Sequence, residues 1–219
     1  MNSRLSPEFF RRLDDSDDEL FYLSPRFVVH IDDAAIRTVG GIYASRLERG
    51  GAILDLMSSW RSHLPPELRP ARVVGLGLNR AEMADNPALT EIVMHNLNRT
   101  PQLPFDNETF DGAVLTVSVQ YLIHPVEVFA EVGRVLRPGA PFVVTFSNRM
   151  FPTKAVAIWV NASEQRRVDL VGYYFTHSGA FEKIETIDRS SGEADPVWAV
   201  LGYRRPQAGR SPGNDQEQQ

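Results

Sequence analysis

The chain has 219 residues, of which 42% are hydrophobic, 23% are charged and none is cysteine, and its formal charge is −5. The length suffices for one full-sized domain with a large core. Without cysteine, disulfide scaffolds, thiolate metal sites and cysteine nucleophiles are excluded, and the acidic balance provides no broad basic surface for nucleic acid. The first residues lack the apolar core of a signal peptide, and no apolar run reaches the roughly 20 residues of a membrane span. We therefore expect a cytoplasmic protein with no nucleic-acid or membrane partner.

The first fifty residues combine an acidic run with one predicted helix. The acidic run at 14–19 precedes two aromatic residues, and charge runs of this kind are usually solvated, with the aromatics packed inward. In residues 32–47 the apolar positions follow helical spacing, with Asp32 or Asp33 available as N-cap and the glycine pair at 50–51 as the expected end.

From residue 52 onward, short apolar runs alternate with connectors. A helix is predicted over 125–136, with Pro125 in its first turn and the sequence Arg-Pro-Gly directly after it. Alternation of this kind is typical of a parallel sheet with helices on both faces. The runs that suit buried strands are 52–57, 72–77, 91–95, 111–117 and 141–147.

The pattern changes after residue 151. A helical stretch at 152–175 precedes two β-rich runs, 181–189 and 196–205, which a short polar turn separates. Two strands joined in this way pair as an antiparallel hairpin. The final residues, 206–219, hold almost no apolar side chain and are expected to be disordered.

The segment 95–147 carries a family resemblance. It contains LPFDNETFD at 103–111, before the predicted fourth strand, and RVLRPG at 134–139, before the fifth. With both motifs it resembles the central part of class I S-adenosylmethionine-dependent methyltransferases of the small-molecule branch, and the resemblance extends more weakly over 52–203. It implies an α/β fold with a doubly wound, mostly parallel, Rossmann-like sheet of seven strands, an antiparallel C-terminal hairpin and an N-terminal helical lid. The implied divisions are a lid at 1–50, a methyltransferase domain at 51–205 and a tail at 206–219.

The resemblance also implies S-adenosylmethionine as cofactor and a small molecule as substrate, in a monomer or homodimer. In a doubly wound sheet, ligands bind at the carboxyl ends of the strands beside the switch in strand order. The family's pattern has a glycine-rich loop after the first strand, whereas this chain has no glycine between 51 and 75. By position, the candidate cofactor-binding residues are Asp55, Met57, Ser58, Ser59, Gly77, Leu78, Asn79, Asn96, Leu97 and Val117.

Two opposite interpretations of the altered loop remain open. In one, Ser58 and Ser59 replace the glycine cradle, Asn79 replaces the ribose-binding acid, and the Asn96 amide oxygen accepts from the adenine amino group. In the other, the pocket has decayed and the fold is a catalytically degenerate binding or regulatory module. Retention of Asp55, Asn96 and the 104–111 segment favours cofactor binding. A nicotinamide-dependent oxidoreductase is disfavoured, since it needs the glycines that are missing.

Two residues are candidates for the chemistry itself. His63 follows the first strand and has the side chain most often used as a general base; the alternative is a histidine that packs under Trp60. Tyr121 follows the fourth strand and is the second catalytic candidate, with packing against Phe105 as its alternative.

The candidate substrate-binding residues lie before the N-terminal helix and after the later strands. His30 and Asp32 could line a substrate pocket, although helix capping also explains Asp32. The His-x-Asp-Asp spacing at 30–33 is too weak to assign a metal, so none is predicted. An arginine at the ligand edge would favour an anionic substrate. The remaining candidates are Gln120, Asn148 and Arg149.

Overall fold

A computed structural model describes residues 5–190 and 192–206. A seven-stranded sheet of order β3-β2-β1-β4-β5-β7-β6 forms its centre, and only β7 runs antiparallel to the other strands. The predicted strands and hairpin are confirmed. The strands at the centre of the sheet are nearly continuous buried runs because both of their faces are covered. The strands are β1 (Ala52–Leu56), β2 (Arg72–Gly77), β3 (Glu91–Met94), β4 (Gly112–Thr116), β5 (Pro141–Phe146), β6 (Phe181–Arg189) and β7 (Val197–Arg204).

The strand order reverses at β1. This strand pairs with β2 on one side and β4 on the other, with Leu54 opposite Val74 and Ala113. The connections from the two neighbours leave in opposite directions, which opens a crevice at the carboxyl ends of the strands. The sheet therefore places a ligand site at this edge.

Helices cover the two faces of the sheet unequally. On one face α4 and α6 pack together, whereas α2 lies on the other face against β5 and β7. At Gly133 in α4, an added Cβ would lie 2.3 Å from the Ala180 Cβ, so only glycine permits this approach to the start of β6. The helices are α1 (Asp18–Phe21), α2 (Asp33–Arg46), α3 (Arg80–Ala84), α4 (Pro125–Val135), α5 (Ala157–Val160) and α6 (Glu164–Ser178).

Each face of the sheet has its own core. The larger core, under α4 and α6, contains the ring cluster of Phe129, Phe142 and Phe175, whose centroids lie 4.8–5.4 Å apart. The smaller core lies under α2 around Tyr43, whose hydroxyl is 2.6 Å from the Thr116 hydroxyl. The buried polar atom is thus satisfied within the core, as burial requires.

Two predicted helix boundaries are wrong. α2 ends at Arg46 and not at the glycine pair; Gly50 instead forms a turn at φ 75° and donates its N–H to the Leu68 carbonyl. The predicted helix over 152–175 is two helices, because Ser163 caps a new one by accepting from the Arg166 N–H. Of the predicted tail at 206–219, all but residue 206 lies outside the described residues.

The connection from β1 to β2, residues 57–71, is the unusual one, and we call it the first crossover. All of it is described, and it contains no α-helix, only a short 3-10 turn at Pro66–Leu68. Three prolines within six residues remove backbone donors. Met57 and His63 also have positive φ angles, which a right-handed helix does not allow.

Residues 5–31, the N-terminal segment, run across the carboxyl ends of the strands. The sequence predicts a lid over 1–50, but α2 within that range packs against the sheet. Any covering role therefore belongs to the N-terminal segment alone. No helix in the part of the chain that the structure describes has the length and apolarity needed to cross a membrane.

Candidate functional site

A cavity of about 290 Å³ lies at the carboxyl ends of β1 to β4, and the N-terminal segment closes its outer side. The cavity brings together most of the side chains that the sequence singles out, and it leaves out Asp55, Asp32, Gln120 and Asn148. Those that line it are Met57, Ser58, Ser59, Gly77, Leu78, Asn79, Asn96, Leu97, Val117, His30, His63, Tyr121 and Arg149.

Asp55 lies behind the cavity and supports its wall. The buried carboxylate accepts hydrogen bonds from the Ser58 hydroxyl at 2.7 Å and the Ser62 hydroxyl at 2.5 Å. Burial raises the pKa of Asp55 to about 6, and the two hydroxyl donors oppose that shift. Asn86 completes this network by donating to the Ser62 oxygen. Asp55 therefore positions the first crossover and does not face the cavity.

Glycine is required at position 77 because another part of the chain, and not a ligand, packs against it. The Ser58 N–H donates to the Leu76 carbonyl at 2.8 Å, so the backbone after β1 remains paired along the end of β2. A Cβ at position 77 would lie 2.3 Å from the Ser58 carbonyl oxygen. The close approach that only glycine permits is thus made by the first crossover.

Asn79 already has partners for both ends of its amide. Its Oδ1 accepts from the Glu82 N–H as the N-cap of α3, and its Nδ2 donates to the Tyr22 carbonyl. These bonds tie α3 to the N-terminal segment. The amide is therefore not free to take the ribose-binding role predicted for it while the segment is closed.

Asn96 differs from its predicted role in a smaller way. Its Oδ1 accepts from the backbone N–H groups of Asn98 at 3.0 Å and Arg99 at 3.3 Å. The predicted acceptance from an adenine amino group would need this same oxygen. Within the described chain Nδ2 has no protein partner, so Asn96 offers a ligand a donor and not an acceptor.

Glu82 is a site residue that the sequence reasoning missed. Its buried carboxylate lines the cavity and accepts from the Ser59 hydroxyl and the Arg26 N–H, each at 2.6 Å. A signal exists in the sequence, since an N-cap residue followed three positions later by glutamate resembles a capping box. In a capping box the Glu82 carboxylate would accept from the Asn79 N–H, whereas here it accepts from Ser59 and Arg26 and lies in the cavity wall.

Two uncharged histidines lie in the cavity wall. Burial lowers the pKa of His63 to about 4, with His30 and Arg61 adding to the effect. Burial likewise lowers the pKa of His30, against an opposing effect of Glu82. Both rings are therefore neutral at pH 7, and each has one nitrogen that can accept a hydrogen bond or a proton.

Tyr121 lines the cavity beside Phe151. Its hydroxyl accepts from the Phe151 N–H at 2.8 Å, and the two rings are stacked. Burial raises the pKa of Tyr121, so the neutral phenol can donate to a ligand. Phe105, the alternative packing partner, contacts Phe110 instead. The side chain of Gln120 donates to the Val117 carbonyl and supports the backbone of this loop.

Asp32 and Arg149 belong to one contact at the rim. Asp32 is the N-cap of α2, accepting from the Ala35 N–H at 2.8 Å, so the capping alternative is confirmed. Its second oxygen accepts from the Asp195 N–H, and Asp195 in turn pairs with Arg149 at 2.7 Å. These residues connect α2 to the β6–β7 turn.

Buried charges fasten the N-terminal segment over the cavity. Asp18 is 6% exposed, so the solvated role predicted for the acidic run is wrong at this position. It accepts from Arg12 Nη1 at 2.6 Å and from Asn98 Nδ2 at 2.8 Å, and it lies 3.5 Å from Lys154 Nζ. Lys154 is 1% exposed and also donates to the Ser16 carbonyl. Among the described residues, no group of three or more acidic or histidine side chains could hold a metal ion.

Residues 62–144 match the family model described as "Methyltransferase domain". The bifunctional biotin biosynthesis protein BioHC of Teredinibacter turnerae is 29% identical over 58% of this chain and 24% of its own length. The 24-methylenesterol C-methyltransferase 2 of Arabidopsis thaliana is 35% identical over 33% of this chain and 22% of its own length. The matched region thus spans about a quarter of these curated relatives.

Solved structures share the fold at low identity. The S-adenosylmethionine-dependent methyltransferase of Mesorhizobium loti has a TM-score of 0.53 at 17% identity, over 78% of this chain and 96% of its own. The [4+2]-cyclase SpnF has a TM-score of 0.58 at 15% identity, over 78% of this chain and 81% of its own. Together with the sheet order, these likenesses show that the chain has the fold of S-adenosylmethionine-dependent methyltransferases, and its residues 62–144 are similar to the methyltransferase-domain family.

Proposed function

We propose that the chain transfers a methyl group from S-adenosylmethionine to a small-molecule acceptor bound in the cavity. One observation carries this proposal: the cavity lies at the carboxyl ends of the strands where their order reverses, and every predicted cofactor residue except Asp55 lines it. Location in the cytoplasm, as a monomer or homodimer, stays a prediction of the sequence.

The lining residues fit the cofactor in chemical type. Met57, Leu78, Leu97 and Val117 supply apolar surface suited to a nucleoside, and Asn96 Nδ2 supplies a donor for a ring nitrogen. A second groove shares Leu78 and Asn96 with the cavity and extends it. The cavity alone is near the lower end of the roughly 300–1,000 Å³ that small-molecule sites occupy. Bound there, S-adenosylmethionine supplies an electrophilic methyl group.

Side chains of the cavity can accept the proton that the methyl acceptor loses. The neutral rings of His30 and His63 each offer a nitrogen that can take a proton, and the Tyr121 hydroxyl can donate to an acceptor oxygen or nitrogen. Residues of the N-terminal segment line this space and reduce its contact with water. Holding the two reactants in line supplies much of the rate in such a site.

Calorimetry and thermal denaturation with S-adenosylhomocysteine test the proposal. We expect binding with a micromolar dissociation constant and a rise in melting temperature, because a ligand at about 100 times its dissociation constant stabilises a folded protein by about 2.7 kcal/mol. A folded protein that shows neither heat nor stabilisation at millimolar ligand would refute cofactor binding.

The Asn96→Asp variant locates the adenine. One carboxylate oxygen keeps the bonds from the Asn98 and Arg99 N–H groups, and the other replaces the Nδ2 donor with an acceptor that would face the acceptor nitrogen of the adenine ring. We expect S-adenosylhomocysteine to bind at least about fivefold more weakly, because one hydrogen bond is lost and two acceptors are brought together. Calorimetry checks this expectation.

The matched control is Asn107→Asp, which makes the same change beside Arg134 on the β3–β4 connection and outside the cavity. Its affinity should equal that of the parent chain. Unchanged affinity in Asn96→Asp as well would mean that the adenine lies elsewhere.

A second candidate function is a catalytically degenerate module that binds a partner or ligand through this fold. The first crossover favours it, since Ser58 covers Gly77 and both ends of the Asn79 amide are engaged. The same titration separates the two candidates. Protein that purifies with the ultraviolet absorbance of adenine would count against the degenerate module.

A further inference from the structure

Four cationic side chains line the cavity, and one of them differs from the rest. Arg26 forms no ion pair with any described residue, although its guanidinium lies within the wall. The other three each have a carboxylate oxygen within 3.6 Å: Arg61 with Asp85, Arg149 with Asp195, and Lys154 with Asp14 and Asp18.

Aromatic rings hold the Arg26 guanidinium in place. Its central carbon lies 4.5 Å from the centre of the Phe21 ring, 5.6 Å from that of Tyr22 and 5.5 Å from that of Phe151. Contacts to ring faces stabilise the cation but leave the N–H groups at its edge without acceptors. Nη2 donates to the Phe21 carbonyl at 2.9 Å, whereas Nη1 is buried and has no acceptor in the described chain.

The nearby acids of the protein are committed to other donors. Glu82 faces the backbone of Arg26, where Oε1 accepts from the Arg26 N–H and Oε2 accepts from the Ser59 hydroxyl. Asp18 accepts from Arg12 and Asn98. A buried N–H group without an acceptor costs free energy, and the cost is larger when the group is charged. We therefore expect the missing acceptor to come from a ligand.

We propose that Arg26 Nη1 binds an oxyanionic group of the ligand, a carboxylate or a phosphate. This inference rests on the proposed function of the same cavity. The oxyanion can belong to the methyl acceptor or to the amino-acid end of the cofactor, and the two sources share the chemistry that a guanidinium edge recognises. Arg26 is then a specificity-determining residue, since a neutral analogue of the ligand would leave Nη1 unsatisfied.

The first arm of the test identifies a cofactor carboxylate. S-adenosylhomocysteine and 5′-methylthioadenosine, which lacks the amino-acid part, are titrated into the full chain and into Arg26→Met. If the oxyanion belongs to the cofactor, Arg26→Met lowers the affinity for S-adenosylhomocysteine at least about tenfold and leaves the affinity for 5′-methylthioadenosine unchanged. Arg37→Met, the same change on the exposed face of α2, should alter neither affinity.

The second arm identifies an acceptor oxyanion and is measured on the parent chain, with one variant used only to assign a signal. Acetate, phosphate and the neutral acetamide are added at constant ionic strength to the full chain saturated with S-adenosylhomocysteine, and the arginine side-chain N–H signals are followed by NMR. If the oxyanion is the acceptor's, acetate or phosphate shifts the Arg26 signal in a saturable way and acetamide does not. Arg26→Lys assigns that signal by its loss.

The proposal is overturned if Arg26→Met binds S-adenosylhomocysteine normally and neither anion shifts the Arg26 signal. If S-adenosylhomocysteine itself does not bind, the proposed function fails. The anion titration is then repeated on the protein without nucleoside, where a saturable shift supports the oxyanion site and its absence refutes it.

Discussion

Burial disfavours the charged forms of Asp55 and His63, and it therefore moves their pKa values in opposite directions. The pKa of Asp55 is raised to about 6, and that of His63 is lowered to about 4. Folded Asp55 holds its proton more tightly than the unfolded chain does, so the stability it contributes is present at low pH and is lost as pH rises from about 4 to 6. His63 contributes stability above about pH 6.5 that is lost as pH falls to about 4. The two slopes oppose each other, each by about 3 kcal/mol.

Removing either group should reveal the slope of the other. We expect Asp55→Asn, which cannot ionise, to gain stability relative to the parent chain by about 3 kcal/mol as pH rises from about 4 to 7. Because asparagine does not ionise, the free energy of unfolding of His63→Asn should rise relative to that of the parent chain as pH falls from about 7 to 4. Asparagine tolerates the φ of 55° at this position. Urea denaturation at several pH values measures both differences.

The control is Asp169→Asn, which makes the same substitution on the exposed face of α6, away from the first crossover. Parallel pH profiles for Asp55→Asn and the parent chain would show that Asp55 titrates normally despite its burial. Parallel profiles for His63→Asn would say the same of the histidine.

At the scale of single residues, the sequence locates the cavity better than it assigns roles within it. Residues directly after a strand can be placed at the ligand edge from the chain order alone, which explains why Met57, Leu78 and Asn96 line the cavity. Arg26 and Glu82 could not be placed in this way. The position of Arg26 depends on how the N-terminal segment folds back across the sheet, a long-range contact that local spacing does not encode. Glu82 follows β2 by five residues, but its capping-box spacing predicts a role in its own helix and not in a cavity wall.

At the scale of elements, two kinds of tie hold the N-terminal segment. Lys154 is buried and bridges Asp14 and Asp18, whereas Arg99 is 61% exposed and pairs with Asp17 and Glu19. Exposed pairs contribute about 0–1 kcal/mol, because solvent screens them. Breaking a buried pair leaves an uncompensated charge and costs about 3–5 kcal/mol. The buried ion pairs of Lys154 should therefore contribute most of the free energy that holds the N-terminal segment in place.

We expect Lys154→Met to release the N-terminal segment and to destabilise the protein by about 3 kcal/mol, since Asp18 keeps only Arg12 and Asn98 as partners. Limited proteolysis should then cut within 11–31 much faster than in the parent chain. Urea denaturation gives the change in the free energy of unfolding.

Arg99→Met is the matched control, because it removes a cation that pairs with the same acidic run but at an exposed position, and it should change stability by less than about 1 kcal/mol. Equal proteolysis of the two variants would mean that packing of the aromatic residues, and not the buried charge, holds the segment.

The elements themselves were predictable where burial dictates the pattern. Every strand was predicted to within about one residue at each end. The central strands β1, β2, β4 and β5 form nearly continuous buried runs because both of their faces are covered, whereas the mostly exposed β6 was identified from its β-rich composition and the polar turn after it. The end of α2 was not, since Gly50 serves a turn to Leu68 and not a helix terminus. The break at Ser163 was missed as well, because a single capping serine within an otherwise helical pattern leaves little local signal.

At the scale of the whole molecule, sequence and structure agree on the sheet and differ at the first crossover. The resemblance implies a glycine-rich loop in this connection, whereas the structure has an irregular backbone supported by Asp55 and Asn86. The loss of the glycines is visible in the sequence. What fills their place is not, because it depends on the pairing of Ser58 with the end of β2.

The absence of a helix in the first crossover changes where positive charge at the ligand edge comes from. A helix beginning there would present the positive end of its dipole, about half an elementary charge, together with unpaired N–H groups. In this chain the first crossover has no such end, so beside β1 the attraction for an anion depends on side chains. The charge of Arg26, which forms no ion pair with any described residue, can be removed by one substitution while the strands and the first crossover stay in place, so recognition of an anion by this residue is separable from the folding of the sheet.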